Sequence, residues 1–320
     1  MNDGRNRILR SSVTRAIRLI GDRWSLLIIR DAFQGVRRFQ DFLERTGTSR
    51  ATLTNRLRAL TRNGLFKRVR YSDAPERFEY RLTDKGRDLY ALALVAWNWE
   101  QRWAPRGAGV PLQLVHRDCG RVLRPVLTCG HCDGMLAFRD MYNRPGPGAG
   151  VRVPPAAARY RRLSALTAAT HRGSQSALTH IADIVGDPWT PLVLAAAFFG
   201  LRRFDDIQRE LGIATNILST RLALLVKRGI FDRRLYSSQP DRYEYRLTDK
   251  GRSLYEYAIV LNAWGDRWLA SASGPPYLTV HRVCGADVEP ILRCGHCGEQ
   301  LVPGSVVSSA TWREQKRARA

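Results

Sequence analysis

All six cysteines of this 320-residue chain fall into two copies of one spacing. His116-x2-Cys119-x9-Cys129-x2-Cys132 is repeated as His281-x2-Cys284-x9-Cys294-x2-Cys297. Two close pairs separated by a short stretch can set one nitrogen and three sulfur donors on a tetrahedron, the coordination of a Cys3His structural zinc site. Zinc would also supply folding energy that about 27 residues with little apolar content lack. His131 and His296, inside the second pair of each copy, are alternative ligands or orienting groups. A reduced knuckle without metal and a redox disulfide stay open as well, although cytosolic cysteines rarely form disulfides. Neither cluster has a neighbouring Glu placed as a base, which sets catalytic zinc aside.

The second chemical feature is the stretch from Gly47 to Leu82. Leu53, Leu57 and Leu60 fall at i, i+4 and i+7 and make one apolar stripe of a helix. The opposite face carries Arg50, Thr54, Asn55 and Arg58, donors and acceptors able to reach base edges and phosphates. Thr48 or Ser49 can cap this helix, and Gly64 ends it. Residues Phe66 to Tyr71 and Arg77 to Leu82 then alternate as two strands around a turn at Ser72 to Glu76. A polar-faced helix beside a basic hairpin suits DNA: the helix enters the major groove and the hairpin flanks it.

The elements that must hold these groups occur twice. Gly21-Asp22, Arg37-Arg38-Phe39, Gly64 and Leu82-Thr83-Asp84-Lys85-Gly86 all recur 165 residues later, and the register persists to Cys132 and Cys297. The expected fold is mostly α with small β-hairpin wings. Copy one begins with helices over Val13 to Ile20, Trp24 to Phe33 and Phe39 to Arg45. After the reading helix and hairpin, one long helix runs from a Thr83 cap to about Trp103. The expected domains are 11–108 and 176–273 for the two helical copies, with Cys3His zinc-ribbon-like modules at 112–138 and 277–303. A Pro/Gly-rich basic linker covers 139–173, and a basic, unstructured tail covers 304–320.

Composition narrows the functional class. With 52 basic and 29 acidic residues the formal net charge is +23, which favours a polyanionic partner. The longest apolar run, near Leu192 to Phe199, is far below the roughly 20 residues of a membrane span. The N-terminus lacks the apolar core of a signal peptide, so a cytoplasmic protein is expected. No phosphate-binding Gly loop, paired-carboxylate motif or nucleophile with its base is present, so no enzyme is expected.

The stretches VTRAIRLIGDRWSLLIIRDAFQGVRRFQDF, TLTNRLRALTRNGLFKR and EYRLTDKG, with Pro75 at the hairpin tip, resemble the HxlR-type winged helix-turn-helix regulators of bacteria. The resemblance covers roughly Ser11 to Arg106 and again Ser176 to Ser273. It implies tandem winged helix-turn-helix domains, a sequence-specific transcriptional regulator at the nucleoid, and double-stranded DNA as partner. It also implies self-association through the terminal helices, within one chain or between chains. By this comparison Ser49 to Asn63 and Ala214 to Arg228 are recognition helices, and Val69 to Arg81 and Arg234 to Arg246 are wings. Many members carry a redox cysteine just before the first helix; the matching positions here are Ser11 and Ser176, which cannot form a thiolate.

The expected DNA-contacting residues in copy one are Arg37, Arg38, Ser49, Arg50, Thr54, Asn55, Arg56, Arg58, Arg70 and Arg77. In copy two they are Arg202, Arg203, Thr215, Asn216, Ser219, Thr220, Arg221 and Arg242. Because Arg50 and Asn55 become Thr215 and Thr220, the copies should read non-identical half-sites as a pseudo-dimer in one chain. The competing reading is a zinc-containing protein-interaction adaptor in which only one copy reads DNA.

Overall fold

Local signals set several helix starts. The computed structural model describes residues 7–105, 112–149 and 178–318. Copy one begins with α1 (Arg7–Arg10) and α2 (Ser12–Ile20), followed by α3 (Arg23–Phe33), α4 (Phe39–Thr46) and α5 (Arg50–Arg62). The hairpin β1 (Phe66–Asp73) and β2 (Glu76–Leu82), then α6 (Asp84–Arg87) and α7 (Tyr90–Trp103), complete its helical part. Three strands follow: β3 (Leu114–His116), β4 (Pro125–Cys129) and β5 (Met141–Pro145). Copy two repeats the series as α8 (Thr179–Val185), α9 (Thr190–Phe198), α10 (Phe204–Leu211) and α11 (Thr215–Lys227). It continues with β6 (Phe231–Ser238), β7 (Asp241–Leu247), α12 (Asp249–Ser253) and α13 (Tyr255–Leu269). The chain closes through β8 (Tyr277–His281), β9 (Pro290–Cys294), β10 (Val306–Ser308) and α14 (Ser309–Arg317).

Side-chain oxygens satisfy the first amides of several helices, as capping requires. Ser11 Oγ accepts from Thr14 N, Ser49 Oγ from Thr52 N, and Thr83 Oγ1 from Gly86 N. The long helix expected after Thr83 is broken: α6 is a single turn, and Leu89 N bonds back only three residues to Gly86 O before α7 starts. Among the described residues the strands form five two-stranded sheets, pairing β1 with β2, β6 with β7, β3 with β10, β4 with β9, and β5 with β8.

The described residues divide into two units, and neither unit is one copy. The first contains residues 7–22, 137–149 and 183–288; the second contains 23–105, 112–136, 178–182 and 289–318. In the first unit the terminal helix of copy two, α13, packs on α2 of copy one. Gly265 permits this approach, since a Cβ there would stand 2.6 Å from Ser12 O. Asn262 Nδ2 donates to Asp266 Oδ2 at 2.8 Å, and Asp266 also faces Ser12 and Arg15 of α2. Burial raises the Asp266 carboxyl above its usual range, partly offset by those partners. Strand β5 pairs with β8 here, with Met141 opposite His281 and Pro145 opposite Tyr277.

In the second unit the terminal helix of copy one, α7, meets the first helix of copy two. The Glu100 carboxylate accepts from the Leu178 amide and, at 2.6 Å, from His180 N, while Trp99 stacks on the His180 ring at 5.7 Å. Strand β4 lies antiparallel to β9, with Leu127 opposite Leu292. Strand β3 lies against β10, with Val115 opposite Val307.

Two boundaries therefore move. Residues 141–145, expected in the linker, form β5; residues 150–173 of the expected linker lie outside the described residues. The basic tail is ordered through residue 318, because Val306 and Val307 add to β3 and Ser308 Oγ caps α14 by accepting from Thr311 N.

Candidate nucleic-acid interface

Helices α5 and α11 are each anchored by three leucines. Leu53, Leu57 and Leu60 of α5 are buried, as are Leu218, Leu222 and Leu225 of α11. Helical periodicity then turns Arg50, Thr54, Asn55 and Arg58 outward, and all four are exposed. Ser49 is also exposed while it caps the helix. On α11 Thr215, Asn216, Ser219 and Thr220 are likewise exposed. Ala214 stands at the N-cap and supplies no side-chain oxygen, unlike Ser49 of the first copy. Each helix start is also tied to the preceding helix: Arg50 donates to Gln40 Oε1 at 3.2 Å, and Gln208 Nε2 donates to Thr215 Oγ1 at 2.8 Å.

Arg221 does not belong to this exposed face. Its Nε and Nη2 donate to Asp187 Oδ1 and Oδ2 at 2.8 and 2.7 Å. Asp187 in turn accepts from Trp189 N, Thr190 N and Thr190 Oγ1, and so holds the start of α9. The guanidinium is committed to this buried carboxylate, which corrects its assignment as a base-reading group. Arg56, at the matching position of copy one, is half-buried.

The wings gain a third rung from the paired arginines. Arg37 O accepts from Tyr80 N at 2.8 Å and Arg38 bridges Glu79; Arg202 O accepts from Tyr245 N at 2.8 Å and Arg203 bridges Glu244. The guanidinium of Arg38 lies over Tyr71 at 4.9 Å, and that of Arg203 over Tyr236 at 4.6 Å. Arg37, Arg38, Arg202 and Arg203 are exposed at the wing base, and Arg77 and Arg242 are exposed on the hairpin. Arg70 is exposed too, but Asp73 at 2.9 Å and Glu76 at 3.5 Å offset its charge. Sequence reasoning missed Arg68 and Arg233, which lie 3.5 Å over the rings of Phe78 and Tyr243. Their signal was the strand alternation, which sets a cation across the hairpin from an aromatic residue in both copies.

The cysteines of the second unit are grouped differently from their spacing. His116 Nδ1 lies 3.5 Å from Cys119 Sγ and 3.4 Å from Cys297 Sγ, and Cys119 Sγ lies 3.9 Å from Cys294 Sγ. These four donor atoms all fall within 4.8 Å of one another. Cys129 and Cys132 are therefore not the partners of His116 and Cys119, and the contiguous Cys3His module gives way to an exchanged one. The physical reason is the strand pairing: β4 takes β9 as its neighbour, which brings the Cys294 turn to the end of β3. Cys129 is buried at the end of β4, and Cys132 follows it in a turn closed by Asp133 N to Cys129 O at 2.9 Å. In the first unit His281 Nδ1 stands 3.4 Å from Cys284 Sγ. His131 and His296 are not in the four-donor set. A set of one imidazole and three thiols is able to hold a metal ion. Burial opposes ionisation of Cys294, but the amides of His296 and Cys297 aimed at its sulfur hold the thiol below its usual value.

A family model of HxlR-like helix-turn-helix proteins matches residues 19–108 and 184–273, more than half of the chain. The chain belongs to the HxlR-like helix-turn-helix family. An uncharacterized HTH-type transcriptional regulator of Mycobacterium tuberculosis is 47% identical over 148 residues, covering 46% of this chain and 94% of that protein. One from Synechocystis sp. is 35% identical over 97 residues, 30% of this chain and 72% of that protein. The solved structure of diamide-treated YodB from Bacillus subtilis is 28% identical, covering 27% of this chain and 85% of that one, at a TM-score of 0.24. The Mycobacterium and Synechocystis relatives are named as transcriptional regulators, and the HxlR-like family is a helix-turn-helix family rather than one of enzymes. Both HxlR-like matches end before the Cys/His sequences begin at His116 and His281. Among the described residues no single helix is long and apolar enough to cross a membrane.

Proposed function

We propose that this HxlR-like chain is a sequence-specific regulator whose two readers engage two non-identical half-sites of one DNA duplex, as a pseudo-dimer within one chain. The observation that carries this reading is the outward polar face of α5 and α11 beside a cationic wing in each unit. Arg50 suits guanine and Asn55 or Asn216 suits adenine, each good bidentate contact being worth about 1–3 kcal/mol of discrimination. Arg37, Arg38, Arg77, Arg202, Arg203 and Arg242 act on phosphates or the minor groove, with a log K slope of about −0.9 per phosphate neutralised. Covalent linkage raises the effective concentration of the second reader once the first has bound. The terminal helices support self-association within the chain, since α13 is already covered by α2. Binding chromosomal DNA would place the protein at the nucleoid in the cytoplasm. The Cys/His set holds zinc as a structural ion, a role suited to its closed sulfur-rich donor group.

Footprinting of Arg50→Ala and Asn216→Ala separately tests the two-reader reading. Each substitution is expected to weaken protection over a different half-site. Loss confined to Arg50→Ala, with Asn216→Ala indistinguishable from the parent, would leave the adaptor reading in which one copy reads DNA. That second reading has its own support in copy two, where Arg50 and Arg58 are replaced by Thr215 and Ala223 and Arg221 faces inward.

A further inference from the structure

We propose that His116, Cys119, Cys294 and Cys297 form one zinc site whose ligands come from both copies of the repeat, so that the metal is a clasp joining them. This rests on the zinc reading above and deepens it by assigning the ligand set. The donor separations carry the argument. A tetrahedron with metal–sulfur bonds of about 2.3 Å and a metal–nitrogen bond of about 2.0 Å has edges of about 3.8 Å between sulfurs and about 3.5 Å between sulfur and nitrogen. The observed separations are 3.9 Å for sulfur to sulfur, and 3.4 and 3.5 Å for nitrogen to sulfur. A disulfide would need about 2.05 Å between sulfurs, so this spacing suits a shared ion and not a bond.

The surroundings are built for the same purpose. His116 and Cys294 are buried, whereas Cys119 is half-buried and Cys297 exposed. Each ligand pair sits in a turn that closes on itself: Gly120 N donates to His116 O, and Gly298 N to Cys294 O, both at 2.8 Å. Those two glycines have φ of 67° and 78°, a left-handed conformation that lets the second ligand of each pair curl back toward the first. Trp312 of α14 lies over the first turn, its ring 3.2 Å from where a Cβ on Gly120 would stand. Arg117 is bound to this tail at two points, through its amide to Ser305 O and its guanidinium to Gln315 Oε1, each at 2.8 Å. The ligands Cys119 and Cys294 are 175 residues apart in sequence, so one ion closes a very long loop.

The test counts zinc per full-length chain by elemental analysis, for the parent, Cys119→Ser, Cys297→Ser and the double variant C119S/C297S. The expected result is loss of one equivalent in each single variant and the same single equivalent in the double, because both residues serve one ion. Loss of two equivalents in the double would overturn the shared site and restore the contiguous grouping. A parent chain without zinc would instead defeat the zinc reading itself, so the two failures are distinguishable. Should a variant fail to fold, the parent supplies a second readout. After removal of zinc by a chelator, mild oxidation with diamide should give a disulfide-linked peptide pair joining Cys119 to Cys294 or Cys297. Linkage of Cys119 to Cys129 or Cys132 alone would refute the assignment.

Discussion

Replacing Arg221 with alanine separates a structural role from a DNA-reading one. The Arg221 side chain is 22% exposed and that of Asp187 6%, and the pair is bidentate. Removing one member of a fully buried pair costs about 3–5 kcal/mol, because a charge is left without its partner. Two features lower that figure here. The guanidinium keeps some contact with water, and Asp187 retains three donors from Trp189 and Thr190. The expected loss is about 2 kcal/mol, equivalent to a fall in melting temperature of about 4–8 °C for a unit of this size. Urea denaturation of the parent and Arg221→Ala measures it, and operator titration is run at a temperature where both remain folded. Asn216→Ala is the contrasting case: as an exposed change it should stay within about 0.5 kcal/mol of the parent while weakening operator binding. An Arg221→Ala protein with parental stability but strongly reduced DNA affinity would show that Arg221 reads bases, and the structural assignment would be wrong.

Two further outcomes follow from the helix contacts. Gly265→Ala places a Cβ 2.6 Å from Ser12 O and should lower stability by about 1–3 kcal/mol, read by thermal denaturation; an unchanged midpoint would mean that α2 and α13 pack differently. Burial raises the Glu100 carboxyl above 4.5, against the opposing pull of the His180, Leu178 and Ile181 amides and Arg30. A raised folded-state value contributes stability that is complete below the unfolded value and lost as pH rises through the folded one. The parent should therefore be most stable relative to Glu100→Gln in acid, with the difference shrinking toward neutral pH; a difference that grows with pH would reverse the assignment.

Much of each copy was legible because its signals are local. The leucine spacing of α5 and α11, the Ser49 and Thr83 caps, and the hairpin alternation depend on residues within a few positions of one another. The exchange between copies was not legible, for a reason inherent in duplication. A 165-residue repeat offers every residue two equivalent sets of neighbours, its own copy's and the other's. His116 and Cys119 find the same Cys-x2-Cys pair at Cys129 or at Cys294, and spacing alone prefers the nearer. The inward turn of Arg221 was hidden likewise, because helical periodicity places it at the edge of the exposed face while its partner Asp187 lies 34 residues earlier. The tail misled by composition: its basic residues masked the Val306-Val307 strand and the Ser308 cap.

The mixed parentage of the units bears on the order of events during synthesis. The second unit contains the first reader, yet it also draws on residues 178–182 and 289–318. A nascent chain that has delivered the whole of the first reader still lacks the partner of its terminal helix and two strands that complete its sheets. Domains ordinarily fold one after another as they leave the ribosome. Here the earlier half must wait in an unfinished state, its seams uncovered, until the strands beyond residue 289 have been translated.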